Sequence, residues 1–361
     1  MREPGHRLRL LIAPDSFKGS LTSVEVARAI ATGWLRARPG DSVRLAPLAD
    51  GGEGTLVAIG AAGGWSRREA EAHDPLGRPV RAGWLAREDG AGAFVEMATA
   101  SGLSLVRPSE LDPIAATTRG TGDVLRAVLD AGIRDIALGI GGSATTDGGA
   151  GLLGALGADV SDDLSAVSLA GLDPRLGEVR LRIACDVTNP LLGPRGAAAV
   201  YGPQKGLRPE DHARLDHECA RLGLMLCAHC RQPDSLMDLP GAGAAGGISF
   251  GLMAATGARL LPGFDLVAAW LDLENKLAAA DLVITGEGRF DDSSLQGKGP
   301  GAVAARALAL GKTVHVFAGR ASVAQPPVGL ALHSITPEGV PLEQALPQAP
   351  HFLAAAVRAA W

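Results

Sequence analysis

Short apolar runs alternate with helical patterns along the chain, the arrangement expected of an α/β fold with mostly parallel strands. The predicted strands are LRLLIAP (8–14), SVRLAPL (42–48), AFVEMA (93–98), DIALGIG (135–141), VRLRIACD (179–186), DLVITG (281–286) and TVHVFAG (313–319). Several are apolar throughout, as strands covered on both faces are. Thr22-Ser23-Val24-Glu25 fits a capping box, and Val26, Ile30 and Trp34 recur every four residues as the buried stripe of the helix that follows. Further helices are expected over 54–62, 121–131, 208–228, 264–280 and 301–310, and HFLAAAVRAAW closes the chain as another. The uncharged stretch 239–258 is long enough to cross a bilayer, but it opens with Leu-Pro and holds six glycines, so it reads as a buried loop and helix.

At roughly 100–200 residues per domain, a chain of 361 residues predicts two domains. AHDPLGRPVRAG (72–83) and the segment just before Asp281 are candidate crossings. Apolar residues make up 47% and charged residues 20%, which supports packed cores and excludes global disorder. Aromatics are only 4% beside 49 glycines, so the core is built from Ala, Val, Leu and Ile, with tight turns and close backbone approaches. The net charge of −5 comes without a basic stripe, which argues against a nucleic-acid partner. The apolar run near the N-terminus is too short for a signal-peptide core. Four cysteines then read as free thiols of a reducing compartment. A cytoplasmic location without a membrane partner is expected.

The chemistry gathers where strands end. APDSFKGSLTSVE (13–25), PLADGGEGT (47–55), GIGGSATTDGGAG (139–151), CDVTNPLLGPRGAAAVYGPQKG (185–206), GAGAAGGISFG (241–251) and ITGEGRFDDSSLQGKGP (284–300) each combine glycine with acids, hydroxyls or lysines. Such junctions also occur as plain turns and helix caps, but half a dozen in one chain argue for a site. In open α/β sheets that edge binds ligands, and free N–H groups at helix starts suit phosphate. Lys18, Lys205, Arg289 and Lys298 can neutralise phosphate oxygens. Asp15, Asp50, Glu53, Asp147, Asp186, Glu287 and Asp291 can hold Mg²⁺ or accept a hydroxyl proton. That mixture suits phosphoryl transfer, where catalysis is mainly positioning and charge compensation.

Other motifs are weak. No segment fits G-x-x-x-x-G-K-[ST]. The G-x-G-x-x-G match at 241–246 follows no predicted strand, and the match at 139–144 lacks a clear acidic partner. Cys227 and Cys230 have C-x-x-C spacing but no second pair, so thiols on a helix are expected rather than zinc. Cys185 reads as a small buried strand residue and His315 as an interior histidine.

Taken in order from about residue 8 to about 320, these motifs resemble the bacterial glycerate kinase family of two-domain type I enzymes. The resemblance is poor over 208–235 and after about 325. It implies a flavodoxin-like parallel-sheet α/β domain formed by both chain ends (1–71 plus 282–361). A second α/β domain (72–281) would be inserted, with the active site in the cleft. The implied reaction is ATP-dependent phosphorylation of D-glycerate, most often at the 2-hydroxyl, with ATP and Mg as cofactors. Small molecules are the partners, and a homodimer is left open. Formation of the 3-phosphate, another hydroxy-acid kinase and a non-catalytic nucleotide-binding regulator are the alternatives.

Within that resemblance, Asp186 and Asp147 lead as general base or metal ligand, with Glu287 as a second Mg ligand. Ser16 and Lys18 are expected close to the transferred phosphoryl, and Arg289 and Lys298 on anionic groups. The loop 141–149 offers Gly141, Gly142, Ser143, Thr145 and Thr146 to phosphates or substrate. Asn189, Asp50 and Glu53 follow, with Asp15, Lys205 and Asp291 as further binding residues. Arg289-Phe290-Asp291-Asp292 departs from the family pattern, which has an aliphatic residue at 290 and a single acid after it.

Overall fold

The computed structural model describes residues 7–161, 163–297 and 299–361. It is α/β, as expected, and its contacts divide the chain into two units. One unit comprises the described residues up to Ala49 together with Val57–Gly63 and Phe264–Trp361; the other comprises Asp50–Leu56 and Gly64–Gly263. Both are discontinuous in sequence.

The first unit is built on a five-stranded sheet in which every pairing is parallel. From one edge the strands are Ser42–Leu45, Arg9–Ile12, Leu282–Asp291, Thr313–Ser322 and Leu330–Ser334. Numbered by chain order this is 2-1-3-4-5, the flavodoxin-like order, whose direction reverses between Arg9–Ile12 and Leu282–Asp291. The helix Ser23–Ala37 carries the capping box: Glu25 N–H donates to Thr22 Oγ1 at 3.3 Å, and Thr22 N–H to Glu25 Oε2 at 2.8 Å. Its stripe of Val26, Ile30 and Trp34 is fully buried against Leu353 and Val357 of the helix Leu342–Ala359.

The second unit holds a six-stranded mixed sheet. Arg259–Leu261, Arg180–Ala184, Asp135–Gly139 and Ala93–Glu96 run parallel, and Pro79–Arg87 and Trp65–His73 add antiparallel at the edge. Its core is aliphatic, with Val124, Val128, Leu138, Leu152, Ile183 and Ile248 among its members.

Several expectations need correcting. The passage 72–83, read as a crossing, belongs to a hairpin: Trp65–His73 pairs with Pro79–Arg87 across a turn in which Asp74 Oδ1 accepts the N–H groups of Leu76 and Arg78, each at 2.9 Å. Sequence patterning missed the edge strand because only Ala70 and Ala72 of WSRREAEAH are buried. Contacts divide the chain at 49/50, 56/57, 63/64 and 263/264, where the resemblance implied 71/72 and 281/282. Near the second crossing, Phe264, Leu273 and Leu277 pack into the core that also holds Val283 and Val314. The expected helix 264–280 is two helices, Gly263–Trp270 and Leu273–Ala279, parted at Asp272, whose φ is 54°. The C-terminal helix begins at Leu342 and continues through Pro347 and Pro350. Among the described residues no helix is long and apolar enough to cross a membrane.

Candidate active site

Each unit carries a cavity at the carboxyl ends of its parallel strands. In the first unit a 480 Å³ cavity opens where the sheet order reverses. Two chain segments form its charged side. After Arg9–Ile12, the backbone stays bonded to the neighbouring strand (Asp15 N–H to Gly286 carbonyl, 2.8 Å) and then turns through Phe17-Lys18-Gly19-Ser20. Facing it, Leu282–Asp291 remains a strand beyond the point where a loop was expected, pairing Asp291 with Ser322. Its alternation buries Phe290 and leaves Arg289 exposed, so Phe290 fills the core. Asp15, Ser16, Lys18, Glu287 and Arg289 thus share one cavity.

Burial pushes the Glu287 carboxyl above its usual range; the Ser294 hydroxyl and Lys18 oppose that, while Asp15 and Asp291 reinforce it. Arg289 Nε lies 3.0 Å from Asp291 Oδ2, and Asp291 Oδ1 also accepts from Ser293 N–H at 3.0 Å. Asp291 therefore orients the arginine and its own turn. Asp292 Oδ1 accepts the Ala324 N–H at 3.2 Å. Lys298 lies outside the described residues.

In the second unit a 220 Å³ cavity is lined by Asp50, Gly141, Gly142, Ser143, Asp186 and Tyr201. Its walls are glycine by necessity. Gly51 has φ +90° and a Cβ there would lie 2.3 Å from the Ala184 Cβ; a Cβ on Gly141 would lie 2.5 Å from the Gly52 Cα. The 50–56 loop is held from behind by Glu96, whose two carboxylate oxygens accept the N–H groups of Gly54 (2.9 Å) and Leu56 (2.7 Å). Asp50 Oδ1 takes the Gly52 N–H at 3.0 Å, and Asp186 Oδ1 takes the Gly263 N–H at 3.2 Å. Asp50 and Asp186 both lie against Gly263, where a Cβ would meet the Asp50 carbonyl and Asp186 Oδ2. Glu53 lies beside Gly142.

Asp147 is placed differently. Its Oδ2 accepts from Thr118 N–H (2.8 Å), Thr118 Oγ1 (2.8 Å) and Gly151 N–H (3.1 Å), and its Oδ1 from Gly149 N–H (3.1 Å). A carboxylate so engaged anchors its loop, and it does not line the cavity. Thr145 and Thr146 are fully buried, with hydroxyls that have no hydrogen-bond partner among the described residues. Lys205 is 1% exposed and donates to the Thr145 carbonyl at 2.5 Å, so it braces the loop from inside. Asn189 accepts from Tyr201 Oη at 2.7 Å and donates to the Arg195 carbonyl at 2.8 Å, positioning the tyrosine at the cavity. Asp186 and Glu287, expected as joint metal ligands, line different cavities. Among the described residues no cluster of three His, Cys, Asp or Glu side chains is placed for a metal, and Cys227 and Cys230 lie on the helix His212–Cys230.

The sequence pattern of the Glycerate kinase family matches residues 10–361. The chain belongs to the glycerate kinase family. It is similar to the glycerate kinase of Bacillus subtilis strain 168, at 43% identity over 96% of this chain and 95% of the relative. It is also similar to the glycerate 2-kinase of Escherichia coli K12, at 43% identity over 86% and 85% of the two chains. A crystal structure of a Salmonella typhimurium LT2 protein described as glycerate kinase 2 superposes with TM-score 0.85 and 42% identity, covering 98% of this chain and 97% of that one. This family member is accordingly an enzyme, a phosphotransferase with an alcohol group as acceptor, and the family's acceptor is glycerate.

Sequence reasoning overlooked three sets of contributors. Glu96 was legible as a charge ending the apolar strand AFVE, which a buried acceptor role explains. Tyr201 and Gln204 reach the second cavity from the junction 185–206, within which they were not singled out; Ile335, Thr336 and the helix Leu342–Ala359 wall the first and carried no signal in their local pattern.

Proposed function

We propose that the chain transfers the γ-phosphoryl group of ATP to the 2-hydroxyl of D-glycerate, yielding 2-phosphoglycerate and ADP. The observation that supports this best is the small second cavity. Glycine walls keep it compact, Ser143 offers a hydroxyl, and Asp186 stands at its edge with Asp50. A three-carbon acid with two hydroxyls suits a site of this size. Asp186 is the general base of the reading, since Asp147 is taken up by four donors. In the step, the acceptor oxygen bonds to the γ-phosphorus as the bond from that phosphorus to the β–γ bridging oxygen breaks. The hydroxyl proton passes to Asp186.

Lys18 and Arg289 balance the charge of the phosphates. Mg²⁺ fits the first cavity, where burial and the neighbouring acids Asp15 and Asp291 disfavour a bare Glu287 carboxylate that a cation would stabilise. Asp15 and Glu287 are the hard oxygen ligands that would hold it, as one or two carboxylates with substrate phosphates commonly do. Bound there, the ion supplies neutralisation of the triphosphate.

The test is a coupled assay with D-glycerate and Mg-ATP. Product fed directly to enolase without phosphoglycerate mutase gives phosphoenolpyruvate only from the 2-phosphate. Signal that appears only after the mutase is added would move the attack to the 3-hydroxyl. No ADP release above the ATP-only background, with nucleotide still bound, would remove catalysis from the reading.

A further inference from the structure

The first cavity has a second side that the phosphate chemistry leaves unused. Besides Lys18, Glu287 and Arg289 it is lined by Ile335, Leu342, Ala345, Leu346, Ala349 and Phe352. Most of these project from the C-terminal helix Leu342–Ala359, which lies in one of the two parts of the chain where the motif resemblance is poor. The wall is fixed to the charged side by a direct bond, Ser20 Oγ donating to the Leu346 carbonyl at 2.6 Å. Ala345 and Ala349 are buried and line the cavity beside Leu346 and Phe352, so small and large apolar side chains share this wall. A phosphate or a three-carbon acid has no use for such a wall. A ligand with a flat apolar end and an anionic end does.

We propose that this wall is the nucleotide-base subsite: the purine of the phosphoryl donor lies against Leu342, Leu346 and Phe352, and its phosphates reach Lys18 and Arg289. The cavity stands where the order of the parallel strands reverses, the usual place for a nucleotide in an open α/β sheet. Its 480 Å³ also falls within the roughly 300–1,000 Å³ of pockets for ligands of that size. Thr336, also on the cavity, offers a hydroxyl to the ribose or base edge. Donor selection thereby falls to the last helix of the chain and acceptor chemistry to the other unit. The assignment rests on the reading that the donor is ATP.

The experiment uses the full-length enzyme with Leu346→Asp and, because Leu342 is 69% exposed and so little of it is buried in the free fold, Leu342→Asp. Each is checked for wild-type circular dichroism. The expected result is a rise in KM for ATP of about tenfold, the scale of losing one leucine's burial, with KM for glycerate unchanged. Adenosine, which has no phosphate, is expected to inhibit the wild type competitively against ATP and to do so more weakly in both variants. Should Leu346→Asp not fold, Leu342→Asp carries the test. Folded variants with wild-type KM for ATP, or adenosine inhibition that is not competitive, would overturn the subsite while leaving the kinase reading intact. A wild-type enzyme that phosphorylates glycerate from a donor other than a nucleotide would instead overturn the reading on which the subsite rests.

Discussion

Lys205 is an ammonium group buried where water does not reach, and its cost is measurable. Its side chain is 1% exposed, with the Thr145 carbonyl as its hydrogen-bond acceptor. Burial pushes its pKa down from 10.5 to about 7, against the weaker opposing pull of Asp147 and Cys219. The folded amine gives up its proton near pH 7 and the unfolded amine near 10.5, so between those values the unfolded chain binds more protons and stability rises with pH. Below pH 7 the full penalty is present, about 5 kcal/mol at ~1.4 kcal/mol per pH unit. Between pH 7 and pH 9 the relief amounts to about 2 kcal/mol, since the folded amine is still half protonated at the start. Above pH 9 the buried Cys219 thiol, pushed up to about 12, acts in the opposite sense, because the folded chain then keeps a proton that the unfolded chain releases. The informative window is therefore pH 7 to 9. Urea denaturation of the wild type and of Lys205→Met at pH 7, 8 and 9 gives the difference curve, from which Lys276 and other shared groups cancel. The wild type is expected to gain about 2 kcal/mol relative to the variant across the window. Parallel curves would mean that the ammonium keeps its charge inside the fold, and the burial argument would fail.

Lys18→Ala is expected to lower kcat by about 10²–10³-fold, the scale of one donor lost from a developing anion. Because Lys18 is exposed, its melting temperature stays at the wild-type value; near-wild-type turnover would remove Lys18 from the site. Asp186→Asn is expected to lose ~10²–10⁴-fold in kcat at unchanged stability. Asp147→Asn should do the reverse, costing about 1–3 kcal/mol through its hydrogen bonds while the folded protein turns over normally. A stable Asp147→Asn enzyme with a collapsed rate would return the base role to Asp147.

The strands of both sheets with apolar faces, the capping box before Ser23–Ala37 and the glycine-rich strand ends were legible because each is set by neighbours in the chain. A run of apolar residues declares a covered strand wherever it lies. Local pattern fails where burial is decided by distant partners. WSRREAEAH is a strand only because Pro79–Arg87 pairs with it. GRFD of Leu282–Asp291 stays extended only because Thr313–Ser322 runs alongside. Pro347 and Pro350 suggest that a helix should end, yet Ala345, Ala349, Leu353 and Val357 pack inward and keep it whole.

The sequence by itself determined the α/β class, the family and the short list of acids and lysines at strand ends, since these follow from composition and local motif. Only the tertiary structure decided which of them meet. It joined Asp15, Ser16 and Lys18 to Glu287 and Arg289 through strand order, and Asp50 to Asp186 through the close approach that glycine permits. It also turned Asp147, Asn189 and Lys205 from ligand candidates into braces. A carboxylate or an ammonium reads the same in a sequence whether it faces solvent or spends its hydrogen bonds on the backbone. That choice is made by the packed fold, through partners from 2 to 60 positions away for these three residues.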